Sequence, residues 1–207
     1  MLYRKIARPI LFRMDAERAH RLIVHGLGRD VKLPGVQPLM RSLWDVKPDP
    51  RLETELFGIR FRHPVGLAAG LDKDAVAVEG FAGMGLAFLE VGTVTPVGQP
   101  GNDRPRLFRL PDDEALINRM GFNNEGAEAM AARLARLRER RVPIAVNIGK
   151  NKATPNEKAP DDYSACLRVL YPYGDFFVVN ISSPNTPDLR KLQHGEELKA
   201  LLDAVHG

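Results

Sequence analysis

The stretch FFVVNISSPNTP, Phe176 to Pro187, decides how this sequence is read. An apolar run, FFVVNI, has the character of a buried strand and breaks at once into two serines, two asparagines and two prolines. Polar side chains set where a buried strand ends are what a barrel enzyme uses to hold a substrate at its C-terminal rim. The same design recurs upstream at AAGLDK (Ala68 to Lys73), GTVTP (Gly92 to Pro96) and NIGKNK (Asn147 to Lys152). Four apolar strands ending in polar, Gly- or Asn-rich turns describe one face of a functional site.

Working outward, strands are expected at 64–69, 87–94, 143–149 and 176–182. Helices are expected near 74–84, 124–139, 161–172 and 195–206. Alternation of β and α with strands buried on both faces means a parallel sheet. Residues 96–123 interrupt the second unit and suit an insertion at the site. A closed eight-unit barrel takes about 250 residues. The four units here therefore predict either an open sheet or the first part of a longer (β/α)8 TIM barrel.

Upstream, LETELFGIRFRHP (Leu52 to Pro64) reads as a β-hairpin turning at Gly58, a plug or lead-in before the first core strand. Residues 35–50 are proline-rich and read as a linker. Residues 2–13 and 15–27 read as two short helices. Asp15 is placed to cap the second, Pro9 to kink the first, and Gly26 and Gly28, with the later Pro34-Gly35, to end the helical region. Leu2, Ile6, Ile10 and Phe12, with Leu22, Ile23, Val24 and Leu27, give these helices apolar faces, which suit either a helical hairpin packed on its own domain or an interfacial membrane contact. The expected organisation is a basic helical hairpin over 1–41, a linker and β-hairpin over 42–63, and the barrel half over 64–207.

The net charge of +4 is unevenly placed. Residues 1–41 hold nine Lys or Arg against three Asp or Glu, whereas 42–207 hold 21 against 23. The basicity belongs to the N-terminal segment and predicts an anionic membrane surface as its partner. Nucleic acid is not expected, since no reader motif accompanies the charge. At 44% hydrophobic and 27% charged the chain is ordinary for a folded domain. Its single cysteine, Cys166, excludes an internal disulfide and any cysteine-built metal site within these residues, and no metal is expected. No run approaches the ~18 apolar residues of a membrane span.

At the rims, Ser183 lacks the G-x-S-x-G elbow of a hydrolase nucleophile. It suits a hydroxyl that accepts a proton in a dry pocket, or a turn residue. Asn118, Asn147, Asn180 and Asn185 each offer both a donor and an acceptor, which fits the carboxylate, amide and ring N–H groups of a flat heterocycle. Lys73 adds a cation for a carboxylate or a flavin oxygen. Gly70, Gly92 and Gly149 would let a ligand approach the backbone closely.

AAGLDKD, EVGTVTPVGQPGNDRPRLFRL, INRMGFNN, NIGKNK and VVNISSPNTP, in this order and spacing, closely resemble the membrane-associated, quinone-dependent class of dihydroorotate dehydrogenases, and the resemblance extends to LFRMDAERAH near the start. It implies a TIM barrel holding FMN that oxidises dihydroorotate to orotate in pyrimidine biosynthesis and passes electrons to a membrane quinone. It implies that Ala69, Gly70, Leu71, Asp72, Lys73, Thr93, Asn147 and Asn180 contact the flavin. Lys73, Asn118, Arg119, Met120, Gly121, Phe122, Asn180 and Asn185 would hold the substrate. Ser183 would be the catalytic base at C5 while hydride leaves C6, and His20 and Arg109 would stand at the quinone tunnel. The soluble classes are expected to carry cysteine where this chain has Ser183, which favours quinone over fumarate or NAD and places the protein peripherally on the cytoplasmic face of the membrane. A dihydropyrimidine or dihydrouridine enzyme fits the serine and the helical hairpin less well. Because the family's second half supplies a flavin-contacting lysine and the FMN-phosphate turns, an inactive fragment that binds a membrane or partner is the alternative. Asp188 stands where the family usually has glycine.

Overall fold

The computed structural model describes residues 3–206. Leu2, assigned above to an apolar helical face, lies outside them.

The chain opens with a π-helical turn, Tyr3–Ala7, that passes into the short helix α1 (Arg8–Phe12), with Pro9 in its first turn. Proline has no N–H to give and is tolerated there, so the irregularity expected of Pro9 falls on the residues before it. Helix α2 (Ala16–Asp30) is capped as predicted, the Arg18 N–H donating to the Asp15 carboxylate at 2.9 Å. It does not stop at Gly26 or Gly28. Gly28 is buried inside α2, where any Cβ would run into the Val76 carbonyl. That glycine serves a close crossing of helix over loop, not a helix end.

Residues 35–50 are not simply a linker. Helix α3 (Val36–Trp44) occupies most of them, with Gly35 in left-handed conformation at its start and Pro38 inside its first turn, where the missing N–H costs nothing. The hairpin β1 (Thr54–Leu56) and β2 (Ile59–Phe61) is present as expected.

The core sheet is parallel and runs β3 (Leu89–Val94), β8 (Ile144–Ile148), β9 (Phe176–Val179). The strand expected at 64–69 reduces to a parallel bridge between Leu67 and Leu89, supported by hydrogen bonds from Leu67 N to Phe88 O and from Glu90 N to Leu67 O. The helix expected at 74–84 shrinks to α4 (Val78–Ala82): Ala75, with a left-handed φ of +55°, delays its start, and Gly83 caps its end.

The insertion builds its own β-structure. Strand β4 (Val97–Gln99) pairs with β7 (Asn124–Gly126), and β5 (Leu107–Leu110) with β6 (Ala115–Asn118) form a hairpin between them. Helix α5 (Ala127–Leu134) therefore starts later and ends earlier than the 124–139 expected. Helices α6 (Ala159–Leu170) and α7 (Gly195–His206) follow β8 and β9.

Two packed layers set the sheet. On one face Met130 and Leu134 of α5 and Tyr163, Cys166 and Leu170 of α6 bury themselves against the strands. At the N-terminal ends of β3 and β9, Phe61 from the hairpin meets Phe88 and Phe176 edge-on at 5.4 and 6.1 Å between ring centres. The hairpin thus plugs one end of the strands with aromatic packing. The polar rim lies at the other end.

Candidate functional site

Three local devices bring the rim residues together. The first is a bulge in β3: the register with β8 shifts between Gly92 and Val94 and leaves Thr93 as the extra residue. Gly92 sits at φ +111°, and a Cβ there would strike the Asn147 carbonyl. Thr93 is thereby turned onto Asn147, its hydroxyl donating to Asn147 Oδ1 at 2.5 Å. Asn180 Nδ2 donates to the same hydroxyl at 2.9 Å, and Asn147 Nδ2 donates to Glu90 at 2.7 Å. Three strand ends are tied by one chain of hydrogen bonds.

The second device is the turn after Leu67. Asp72 is buried and accepts from the Val76 and Ala77 N–H groups at 2.8 and 2.7 Å, so its carboxylate faces the fold. Burial pushes that carboxyl above its ordinary range. The turn aims Lys73 across the rim, where its amine donates to Gly121 O at 2.8 Å and Asn123 Oδ1 at 2.7 Å. Burial, with the Arg106 charge adding to it, brings Lys73 down to about 8.

The third device is the insertion. Asn102 Nδ2 donates to Arg119 O at 2.9 Å and Asn185 O at 3.2 Å, and Asn185 Nδ2 reaches Asn118 Oδ1 at 3.5 Å. Phe122 is buried beside Gly149. Ser183 is half-buried and accepts from the Asn185 N–H at 3.2 Å; no histidine is among its partners in the described residues. Arg119 points away, donating to Pro105 O and lying over the Phe108 ring.

Of the predicted site residues, Thr93, Asn147 and Asn180 touch one another, Lys73 meets Gly121, and Ser183, Asn185 and Asn118 form a second group. Gly70 (φ +103°) has open space where a Cβ would lie, leaving room beside the rim. Gly92 and Gly149 instead face protein atoms and serve packing. Asp188 takes a left-handed φ of +56°, the conformation that favours glycine. The sequence reading missed Glu90, Asn102, Asn123 and Tyr163. Tyr163 is wholly buried and donates to Asn180 O at 2.8 Å.

His20 and Arg109 line different spaces. His20 borders a cavity of about 120 Å³ with Lys73, Leu71 and Met120, and burial holds its imidazole below the ordinary value. Arg109 donates to Met14 O at 2.7 Å, lies over Phe12, and borders a cavity of about 370 Å³ with Arg8 and Leu116. A third cavity, about 540 Å³ between α2 and α4, contains none of the rim groups.

The rim has the donor and acceptor chemistry for a planar, hydrogen-bonding ligand. It offers amide and hydroxyl groups at strand ends, a half-buried amine with no bonded carboxylate among the described residues, and open space beside Gly70.

A dihydroorotate dehydrogenase family model matches residues 51–206. The chain is 58% identical over 204 residues to the dihydroorotate dehydrogenase (quinone) of Deinococcus deserti, covering 99% of this chain and 56% of that protein. It is 52% identical to the protein of the same name from Christiangramia forsetii, over 99% of this chain and 59% of that one. The ligand-free DHODH of Eimeria tenella superposes with a TM-score of 0.79 at 40% identity, covering 93% of this chain and 52% of that structure. The chain spans about half the length of the curated relatives it matches.

Proposed function

Because the chain belongs to the dihydroorotate dehydrogenase family, we propose that it forms the N-terminal portion of a quinone-dependent dihydroorotate dehydrogenase, in which residues 64–207 build the first four βα units of a (β/α)8 barrel. The observation that carries this reading is the bonded group Thr93–Asn147–Asn180 at the ends of parallel strands.

Ala69, Gly70, Leu71, Lys73, Thr93, Asn147 and Asn180 hold FMN, which when bound supplies the hydride acceptor. Asp72, its carboxylate turned inward, shapes that turn. Asn118, Arg119, Met120, Gly121, Phe122, Asn180 and Asn185 form the substrate side, and the buried Lys73 amine meets the ligand's negative charge. Ser183 accepts the C5 proton of (S)-dihydroorotate as orotate forms. The hydroxyl sits in a loop held by its neighbours, so it is positioned before substrate arrives.

Residues 1–41 dock on the anionic cytoplasmic face of a membrane. Ile6, Ile10, Leu22 and Ile23 are all more than half exposed on helices rich in arginine, which suits a helix pair lying in the interface. Among the described residues no helix is long and apolar enough to cross a membrane. Quinone enters between these helices and the barrel at the cavity bordered by Arg109, while His20 borders a separate, smaller space.

Anaerobic mixing of the flavin-loaded protein with dihydroorotate tests the reading. Bleaching of the flavin should follow, and Ser183→Ala should slow it ~10²–10⁴-fold while flavin stays bound. A parent-like rate in the variant would refute the role of Ser183. A second reading, a membrane- or partner-binding fragment without turnover, draws on one observation: every residue of β9 is half-exposed, as an edge strand awaiting a neighbour would be.

A further inference from the structure

We propose that Glu90 is the positioning residue that fixes the donor–acceptor direction of the Thr93–Asn147–Asn180 chain, and with it the face those groups present to a bound flavin. Glu90 lies on β3 among buried neighbours, Leu89 and Val91, and is itself half-buried. A charge in the middle of an apolar strand needs a polar partner nearby. Its partner is the Asn147 amide, Nδ2 to Oε1 at 2.7 Å.

The direction follows from valence. A carboxylate only accepts hydrogen bonds, whereas an asparagine amide presents a donor at one end and an acceptor at the other. Facing Glu90, Asn147 must turn its NH2 inward and so leave Oδ1 toward Thr93. The Thr93 hydroxyl then donates to Oδ1 at 2.5 Å and keeps its lone pairs for Asn180 Nδ2 at 2.9 Å. Asn180 Nδ2 also lies 3.3 Å from Asn147 Oδ1. Asn180 in turn leaves Oδ1 for the Ser182 N–H at 3.2 Å, one residue before Ser183. The carboxylate at one end and the Ser182 N–H at the other thus order two amides and a hydroxyl, and the order reaches the loop that carries the serine.

Without Glu90, the Asn147 NH2 loses the acceptor that holds it, and the order of the chain rests on the Ser182 N–H at its far end alone. The inference rests on the flavin reading of this rim for its ligand, but not for its geometry.

Glu90→Gln, Asn147→Asp and the double variant test it. In Asn147→Asp two carboxylates face each other. In the double variant the new amide at position 90 donates to the new carboxylate at position 147, which still accepts from Thr93 and Asn180. Each protein is melted and titrated with FMN, and the side-chain amide protons of Asn147 and Asn180 are followed by ¹⁵N-edited NMR where present. Glu90→Gln should loosen FMN severalfold and broaden or shift the Asn147 amide pair. Asn147→Asp should loosen FMN by roughly tenfold or more, as expected for loss of a bond to a charged group. Adding Glu90→Gln should restore most of that loss in both affinity and melting temperature. A double variant no better than Asn147→Asp alone, or unchanged amide resonances in Glu90→Gln, would overturn the proposal. If the parent chain binds no FMN, the FMN-phosphate turns of the family's second half are needed for binding, and the same rescue pattern in melting temperature decides the role of Glu90.

Discussion

Glu17 on α2 and Arg106 in the rim insertion form a buried ion pair across 89 residues of chain, Nε to Oε2 at 3.0 Å and Nη2 to Oε1 at 2.8 Å. Arg106 also donates to the Pro100 and Asn102 carbonyls, so one guanidinium joins the N-terminal helices to the loop beneath Asn118–Phe122. The bond from Arg106, helped by Arg104, holds the Glu17 carboxyl at about 2 against burial, which works the other way.

Glu17→Gln should therefore destabilise the fold by about 3–5 kcal/mol, the range for removing one partner of a buried pair. The pH signature is specific. The carboxyl titrates at 4.5 when free and about 2 when paired, so its contribution is complete above roughly pH 5 and is lost as pH falls toward 2. Denaturant unfolding from pH 6 down to pH 3 should show this decline in the parent and a shallower one in Glu17→Gln. Parallel pH dependences would mean that the pair contributes nothing.

Lys73 is a cation held by two neutral acceptors, Gly121 O and Asn123 Oδ1, with burial bringing it to about 8. An anionic ligand at the rim would raise that value in the complex. Affinity gained from the charge is then fully present below pH 8 and is lost as pH rises above it, by up to about tenfold per unit. Calorimetric titration with orotate from pH 7 to pH 9.5 should show this loss together with proton uptake near pH 8. Lys73→Met should bind weakly and flatten the profile. An unchanged pH dependence in the variant would place the anion elsewhere.

The membrane face needs a test that spares Glu17, because deleting the N-terminal helices would leave Arg106 buried without its partner. Ile10 and Ile23 are 60% and 52% exposed, and substituting either with glutamate disturbs no core contact. Ile10→Glu with Ile23→Glu should abolish co-flotation with anionic vesicles while the melting temperature holds. Binding by the parent should weaken as salt is raised. Vesicle binding that survives both substitutions would refute docking through these helices.

Much of this was legible in the residues, and the parts that were not share a cause. The apolar runs of β3, β8 and β9 are those of a parallel sheet's interior, so their composition announces them. Asp15 reads as a cap because its partner is three residues away. Helix α3 was hidden because Pro38 looks like a breaker until its place in the first turn is known. Gly28 looked like a helix end because the Val76 carbonyl pressing on it lies far away in sequence. Glu17–Arg106 and Lys73–Gly121 are contacts between distant segments, and nothing local marks them. Glu90 did leave a trace, a lone charge inside AFLEVGTV. Tyr163 left none, since a tyrosine on an amphipathic helix reads as ordinary core.

Tyr163 gives the cleanest substitution in the site. It is wholly buried, its hydroxyl donates to Asn180 O at 2.8 Å, and the backbone N–H of Lys150 is directed at the Tyr163 hydroxyl oxygen. From α6 it thus joins the residues that follow β8 and β9, the strands that present Asn147 and Asn180. Tyr163→Phe removes one oxygen and leaves the ring in place, so packing is kept and only the hydrogen bonds are lost. Leaving the Asn180 carbonyl without this partner should cost about 1–3 kcal/mol. Burial raises the phenol above its ordinary 10.0, so the folded state resists its ionisation. The stability contribution is therefore present at all pH values below about 10 and fades only as pH climbs above that. The difference in unfolding free energy between parent and Tyr163→Phe should stay level from pH 6 to pH 9. Flavin and orotate affinities should fall together, since Asn180 is proposed to serve both. Parent-like stability in the variant would show that the bond does not hold the rim, and a loss confined to one ligand would remove Asn180 from the other's site.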